Sequence, residues 1–527
     1  MNTQIIKESI NRERQIENRE FEFRIDDKIK INVYSNSFLP FEGNIFFIGK
    51  EGIEKSLYIL SNNSGSKLLS KFEGEEFGIQ ENPEFKSLKK CCFNTKNRRA
   101  VQEIFDFTNP RVFRLVNSFG LGDRIGLANP GHIRSLGKGN FKPILAQQSI
   151  RELTRTQRKP EEVINAAVFA VLQEGYKDGF GADADHLKTT DDIDLMLDAG
   201  FKMFTFDPGE HVDNNADNYS EKDLEKIVGG LNWIDLSDTL EQARKRYANR
   251  EFKISSDLTL NVSGADCLRA YAKYGKAIAH IRKMYNHLLS KISEDKFVVE
   301  ASVDETESVT SLFEHFFFAN ELTRLNISFS SLAPRFVGDF EKGIDYKGDL
   351  DLFKSEYEKH LAIAKYFANY RISLHSGSDK FSLYKVIGSI KGSYIHVKTA
   401  GTSYLEALRV VAVKEPDLFR EILDYAVGLY NVEKESYHVS ADIKKIKRGS
   451  DYSNEELLGL FSDNNSRQVL HVTFGRILTE KDQTGKYLFK DRIVKCLKEN
   501  EEIHYNVLIK HFQKHLEPFK EWTEKQS

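Results

Sequence analysis

From about residue 120 onward the chain alternates short apolar runs with longer amphipathic stretches. Eight of the runs read as strands: Arg124–Ala128, Pro143–Gln147, Ala182–Lys188, Phe201–Asp207, Lys296–Asp304, Asn326–Ala333, Arg371–Gly377 and Ser393–Thr399. Each is short, rich in apolar residues and bounded by polar or turn-forming residues, as buried strands are. Helical spacing fills several of the intervals, over Pro160–Gln173, Ser308–Leu325 and Leu350–Asn369, and continues in Ser403–Val411 and Asp417–Leu429. Eight β/α repeats predict a TIM (β/α)8-type barrel, an α/β fold that carries its chemistry at the C-terminal strand ends.

The flanks follow a different pattern. Residues 20–25 and 30–34 alternate as strands do, Asn44–Ile48 reads as a buried strand, and helical spacing appears near Ser66–Leu69 and Arg98–Phe107. This predicts an α+β accessory domain over 1–110, with Asn109-Pro110 as the boundary. The barrel then spans 111–435, with an insertion at 208–295 too long for a plain crossover. That insertion has its own strand (Phe252–Val262) and a long helix (Ala265–Leu289). Residues 436–527 form a C-terminal extension packed on the barrel. Within it Val469–Phe474 (VLHVTF) reads as a strand, either a ninth outside the barrel or the true eighth, followed by two helices.

Composition narrows the class. At 527 residues, 40% hydrophobic and 29% charged, the chain is an ordinary soluble protein with a sizeable core. A net charge of −3 gives no general pull toward nucleic acid or membrane. Four cysteines without CxxC spacing argue against a thiolate metal site or a disulfide framework. The first ten residues lack a signal-peptide core, and no apolar run approaches the roughly 20 residues that span a bilayer. A cytoplasmic protein is expected, and a homo-oligomer is compatible with the sequence. There is no phosphate loop, HExxH helix or GxSxG elbow, and Gly120–Gly126 lacks dinucleotide spacing.

Candidate chemistry concentrates in Gly181–Lys188 (GADADHLK). A strand alternates its side chains, so Asp183 and Asp185 share one face and His186 points to the other, unless the pleat breaks at the strand end. Burying that much charge requires a metal, a partner or a substrate. Later strands carry His375 and His396. Three histidines on three strands suggest one divalent cation, for which zinc, nickel, cobalt and manganese all suit imidazole. Asp185 could serve as general base or form a buried salt bridge to Lys188 or Arg124. Glu300, Ser302 and Asp304 share a face of another strand. Glu300 is the favoured partner acid, while Asp304 and Glu305 could instead cap the following helix. Arg335, Lys380, Lys398 and Gln147-Gln148 lie near other strand ends and suggest an anionic substrate. Ordinary surface charge is the commoner reading for Lys380. His132 and Asp207–His211 are either cavity residues or turns.

Four segments resemble the tagaturonate/fructuronate epimerase family: Phe119–His132 (FGLGDRIGLANPGH), Gly181–Lys188, Ser302–Thr306 (SVDET) and His396–Arg409 (HVKTAGTSYLEALR). The resemblance runs from about residue 110 into the C-terminal region. It implies a metal-dependent TIM-barrel isomerase of hexuronate catabolism, such as growth on galacturonate, that interconverts D-tagaturonate and D-fructuronate. It also implies Asp185 as proton acceptor, His186 as metal ligand and a fifth-strand acid as proton donor, with His375 and His396 completing the metal site. Asp183, Arg335 and Lys398 are the expected substrate-binding residues.

The two hexuronates differ at a carbon β to the ketone, whose C–H the carbonyl does not activate. Retro-aldol cleavage and re-addition on the other face inverts it, with Asp185 as base and Glu300 as acid. A metal-dependent aldolase or ketose isomerase would use the same ligands. A non-catalytic sugar-acid binding protein would leave the buried Asp183–His186 stretch unexplained.

Overall fold

The computed structural model describes residues 20–24, 30–79, 84–136 and 141–522. The polar N-terminal stretch before residue 20 lies outside them. Seven antiparallel strands come first: β1 (Glu20–Arg24), β2 (Lys30–Tyr34), β3 (Leu39–Phe41), β4 (Asn44–Glu51), β5 (Glu54–Ser61), β6 (Glu75–Gly78) and β7 (Ser87–Cys91). Their order is β1-β2-β4-β5-β7-β6, with β3 on β4. Strand periodicity explains why both faces are covered. Phe46, Ile48, Leu57 and Ile59 join the core shared with the barrel, while Ile45, Phe47, Tyr58 and Leu60 face a separate small core.

Eight parallel strands then close a barrel: β8 (Ser118–Leu121), β9 (Lys142–Ser149), β10 (Gly181–Leu187), β11 (Met203–Phe206), β14 (Val298–Ser302), β15 (Ser331–Ala333), β16 (Arg371–Leu374) and β17 (Ile395–Thr399). Between β11 and β14 the insertion adds the hairpin β12 (Arg250–Lys253) and β13 (Thr259–Val262), then a 28-residue helix, Gly264–Lys291. The single strand expected over Phe252–Val262 is thus a hairpin, covering the end of β12, the turn and β13. The expected helices are present as Pro160–Glu174, Leu312–Arg324, Leu350–Tyr366, Thr402–Lys414 and Pro416–Glu433.

Two expectations need correction. The first barrel strand is Ser118–Leu121, not Arg124–Ala128. Glycine hides it: a Cβ at Gly120 would meet Gln147 Oε1 at 2.4 Å, so this strand needs a residue that reads as a turn. Residues 124–128 bend because the Asp123 carboxylate accepts hydrogen bonds from the backbone of Ile125, Gly126 and Ala128. Val469–Phe474 is not a strand either. It closes the helix Asn464–Val472, capped by Asp463, and opens the next, Phe474–Thr479. Val469, Leu470, Val472 and Phe474 fill a second core beside Thr402–Lys414 and Pro416–Glu433.

The last long helix, Glu501–Leu516, packs against the helix Asn129–Ser135 next to β8. Among the described residues no helix is long and apolar enough to cross a membrane.

Candidate active site

The barrel interior is polar where many barrels hold branched apolar side chains. Asp183 and Asp185 of β10, Thr205 of β11, Glu300 of β14, and His396 and Lys398 of β17 are all buried within it. At the mouth β10 breaks: His186 takes φ +53°, and pairing with β11 shifts register between Ala184 and Leu187. The break brings the imidazole to the same side as Asp185, with 3.8 Å between His186 Nε2 and Asp185 Oδ1. A regular pleat would have sent it outward. A left-handed non-glycine residue costs about 1–2 kcal/mol, and such strain collects at functional sites.

Lys398 is the hub. Its Nζ lies 2.6 Å from Asp185 Oδ1, 2.9 Å from Asp183 Oδ2, 2.9 Å from Glu300 Oε1 and 2.6 Å from Thr205 Oγ1. Burial opposes the ammonium, but the three carboxylates hold its pKa above the usual lysine value. Burial would likewise raise Asp185 and Glu300. Lys398, aided by His186 and His375 at Asp185 and by His375 at Glu300, keeps both well below the usual carboxylate range. The salt bridge weighed for Asp185 therefore exists, but to Lys398. Lys188 pairs with Glu210, and Arg124 pairs with Glu152. With three carboxylates around it, Lys398 is an internal counter-ion rather than a free grip for a substrate carboxylate.

His375 sits between two acids, with Nε2 2.6 Å from Glu300 Oε1 and Nδ1 3.1 Å from Asp304 Oδ1. Ser331 donates to Glu300 Oε2 at 2.6 Å, and Ser302 donates to Asp304 at 2.5 Å. His186 Nδ1 lies 3.2 Å from Asp207 Oδ2. The two imidazole rings meet edge to face, 4.9 Å apart. Burial disfavours both imidazoliums, yet Asp185 and Asp207 push His186 up to about 9, and Asp304 and Glu300 push His375 up to about 10.

His396 stands apart from this pair. It precedes Lys398 by two residues and so occupies a deeper layer, with Nδ1 2.9 Å from Ser118 Oγ and Nε2 3.8 Å from Asp183 Oδ2. Below it the buried Arg371 donates to Ser118 at 2.8 Å. Burial lowers the pKa of His396.

Above the carboxylates, a cavity of about 230 Å³ is lined by Asp304, Glu305, Arg335, Lys342 and His375, with Arg151 at its edge. It adjoins a second pocket that reaches Asp185, His186 and Lys398. Asp304 and Glu305, not Glu300, are the fifth-strand acids on the cavity wall. Arg335 is fastened to the rim by a hydrogen bond to the Thr306 carbonyl. Lys342 donates to Ser376 Oγ at 2.6 Å and faces no carboxylate within 4 Å among the described residues. Burial lowers its pKa, and the nearby Arg151 lowers it further.

Of the other candidates, Asp207 reaches the site through His186. His211 stacks on His280, and His132 is a packing residue bonded to Ser403. Arg151 and Lys342 carry no sequence signal, because a lone cation in a loop reads as surface charge. Thr205 could have been found, as the polar inward position of Met203–Phe206.

The donor set suits a divalent cation. Ligand atoms of Asp185, His186 and His375 all lie within 4.8 Å of one another, and His186, Asp207 and Glu305 form a second such group. His375 Nδ1 is buried and, although close to Asp304, makes no well-aligned hydrogen bond. His396 belongs to neither group.

Comparison with known proteins shows the family to which the chain belongs. The model of the tagaturonate epimerase family, UxaE, matches residues 34–519. The tagaturonate/fructuronate epimerase of Thermotoga maritima is 39% identical over 485 residues, covering 92% of this chain and 96% of that protein. Crystal structures of the fructuronate-tagaturonate epimerase UxaE from Cohnella laeviribosi, native and with glycerol, superpose with a TM-score of 0.85. The glycerol complex is 37% identical and covers 93% of this chain and 96% of its own. The chain belongs to the tagaturonate/fructuronate epimerase family.

Proposed function

We propose that this protein interconverts D-tagaturonate and D-fructuronate by retro-aldol cleavage and re-addition at the carbon β to the ketone. The observation that carries the mechanism is the shared ammonium: carboxylates from β10 and β14 meet on Lys398 Nζ, beside two imidazoles at the barrel mouth.

Asp185 takes the proton from the hydroxyl on the carbon to be inverted. The bond from that carbon to the ketone's α-carbon then breaks, giving an aldehyde and an enediolate. The aldehyde turns, is attacked on its other face, and the new alkoxide takes a proton supplied by Glu300. Glu300 lies behind Lys398 Nζ, which lines the pocket beside Asp185, so the proton it supplies reaches the alkoxide through Lys398. Lys398 touches both acids and so gives a path along which the proton gained by Asp185 returns to Glu300. His186 and His375 are the imidazoles that would hold a divalent cation, with rim carboxylates supplying further oxygen donors. When bound, the cation supplies Lewis-acid charge for developing negative oxygen.

The substrate carboxylate belongs to Lys342, with Arg151 and Arg335 beside it. Two cations pressed together on a cavity wall, one without a carboxylate partner, favour an anionic ligand. This moves to Lys342 the role expected of Lys398.

The test is proton NMR of the purified protein with D-tagaturonate, before chelation, after it and after metal add-back. Metal-dependent appearance of D-fructuronate is the expected result. No conversion under any condition would sink the assignment. Accumulation of free aldehyde would turn it into an aldolase.

A further inference from the structure

Lys380 is fully buried, although its position in the sequence reads as ordinary surface charge. Its Nζ donates to three backbone carbonyls: Glu341 at 2.9 Å, Ser378 at 3.1 Å, and Ile344. No carboxylate lies within 4 Å of it among the described residues. Three converging carbonyl oxygens repel one another, and an ammonium offers one hydrogen to each. A neutral or apolar group would leave at least one of them unpaired and buried.

Two of those carbonyls bracket Lys342. The loop carrying it has no regular structure beyond a single bridge from Asp339 to Lys347, and its tip turns through Gly343 at φ +76°. Arg467 holds the Gly343 carbonyl at 2.7 Å. The backbone on both sides of Lys342 is therefore tied, while the Lys342 side chain lines the cavity and donates to Ser376. The third carbonyl, Ser378, ties the same Nζ to the segment that follows His375.

We propose that Lys380 is a positioning residue: a buried lysine whose Nζ fixes the 341–344 loop so that Lys342 stands ready for the substrate carboxylate. This rests on the reading of Lys342 given above. A loop free to swing would lose part of the Lys342 contact to ordering entropy on every binding event. Such a loss falls on substrate binding and leaves the proton transfers alone.

The experiment is a double-mutant cycle on the full-length, metal-loaded enzyme, using Lys342→Met, Lys380→Met and both together, with D-tagaturonate as substrate. Thermal melts verify folding. Lys342→Met is expected to raise KM roughly tenfold or more, the loss of one charge-assisted contact, with a much smaller change in kcat. Lys380→Met is expected to raise KM in the same direction. Once Lys342 is gone, removing Lys380 should add nothing further. An unchanged KM in Lys380→Met beside a raised KM in Lys342→Met overturns the positioning role and leaves the carboxylate site standing. Equal, multiplying effects in both backgrounds also overturn it, because Lys380 then acts by another route. An unchanged KM in Lys342→Met removes the carboxylate site itself, and this inference with it. If Lys380→Met does not fold, Lys380→Gln takes its place in the cycle, and the same KM changes support or overturn the positioning role.

Discussion

His186 and His375 at the barrel mouth, and His132, His504 and His515 around the C-terminal helix, are all largely withdrawn from water. Their neighbours pull them in opposite directions. At the mouth, carboxylates from three strands outweigh burial and push the imidazoles up to about 9 and about 10. Around the helix burial wins: His132 and His504 fall to about 4 and His515 to about 3. The barrel mouth and helix Glu501–Leu516 thus use one residue type for two purposes. Where acids converge the imidazolium is favoured; where burial outweighs the neighbouring charges the neutral ring is.

The largest effects should come from the acids that make the mouth different. Asp185→Asn and Glu300→Gln each remove one proton-transfer group and are expected to lower kcat by about 10²- to 10⁴-fold. KM should change far less. A fall in kcat of under about tenfold for Asp185→Asn would end its role as the base.

Lys398→Met sharpens the same contrast through stability. It leaves Asp183, Asp185 and Glu300 buried together without their shared cation. Losing one partner of a buried ion pair costs about 3–5 kcal/mol. Denaturant melts should register a loss of that order at pH 7. A melt as stable as the parent would mean that the three carboxylates share protons instead.

Much of this is legible in the sequence, and the failures have physical causes. Seven of the eight barrel strands lie within or beside the apolar runs that suggest them, because parallel strands buried on both sides need such runs. β8 escapes because its glycine makes room for Gln147. Asp183, Asp185 and His186 stand out because charge inside an apolar run has no cheap explanation. Depth along a strand and the path of an irregular loop leave no such mark. The pattern therefore groups His396 with the other two histidines. It gives no sign of Lys342 and Arg151, and it assigns Lys398, two residues along from His396, to the substrate rather than to its own acids.

Acidification tests the other half of the comparison. The folded pKa values of His132, His504 and His515 lie below the ordinary imidazole value of about 6.5. Between about pH 6.5 and 4 the unfolded chain binds more protons at these sites, so stability falls with falling pH. Their contribution is intact above about 6.5 and is lost as pH drops through about 4. At pH 5 this is on the order of 1–2 kcal/mol for each histidine, at about 1.4 kcal/mol per pKa unit. Melts at pH 7 and pH 5 measure it, and His132→Gln should flatten the slope. A slope unaffected by that change would place the acid lability elsewhere.

The smallest expected effect separates depth from identity among the three strand histidines. His186→Ala and His375→Ala should each abolish tight binding of the divalent cation, read as metal content after gel filtration in metal-containing buffer. His396→Gln should leave metal content unchanged. His396 lies two residues, about 6–7 Å of strand, before Lys398, and its Nδ1 is already engaged by Ser118. Its Nε2 makes no hydrogen bond, so the substitution forfeits one hydrogen bond and some packing, roughly 1 kcal/mol in a melt. If His396→Gln empties the site as His186→Ala does, the deeper layer moves up to meet the cation when it binds. The ligand set suggested by the family resemblance would then stand, against the one drawn from the geometry of β17.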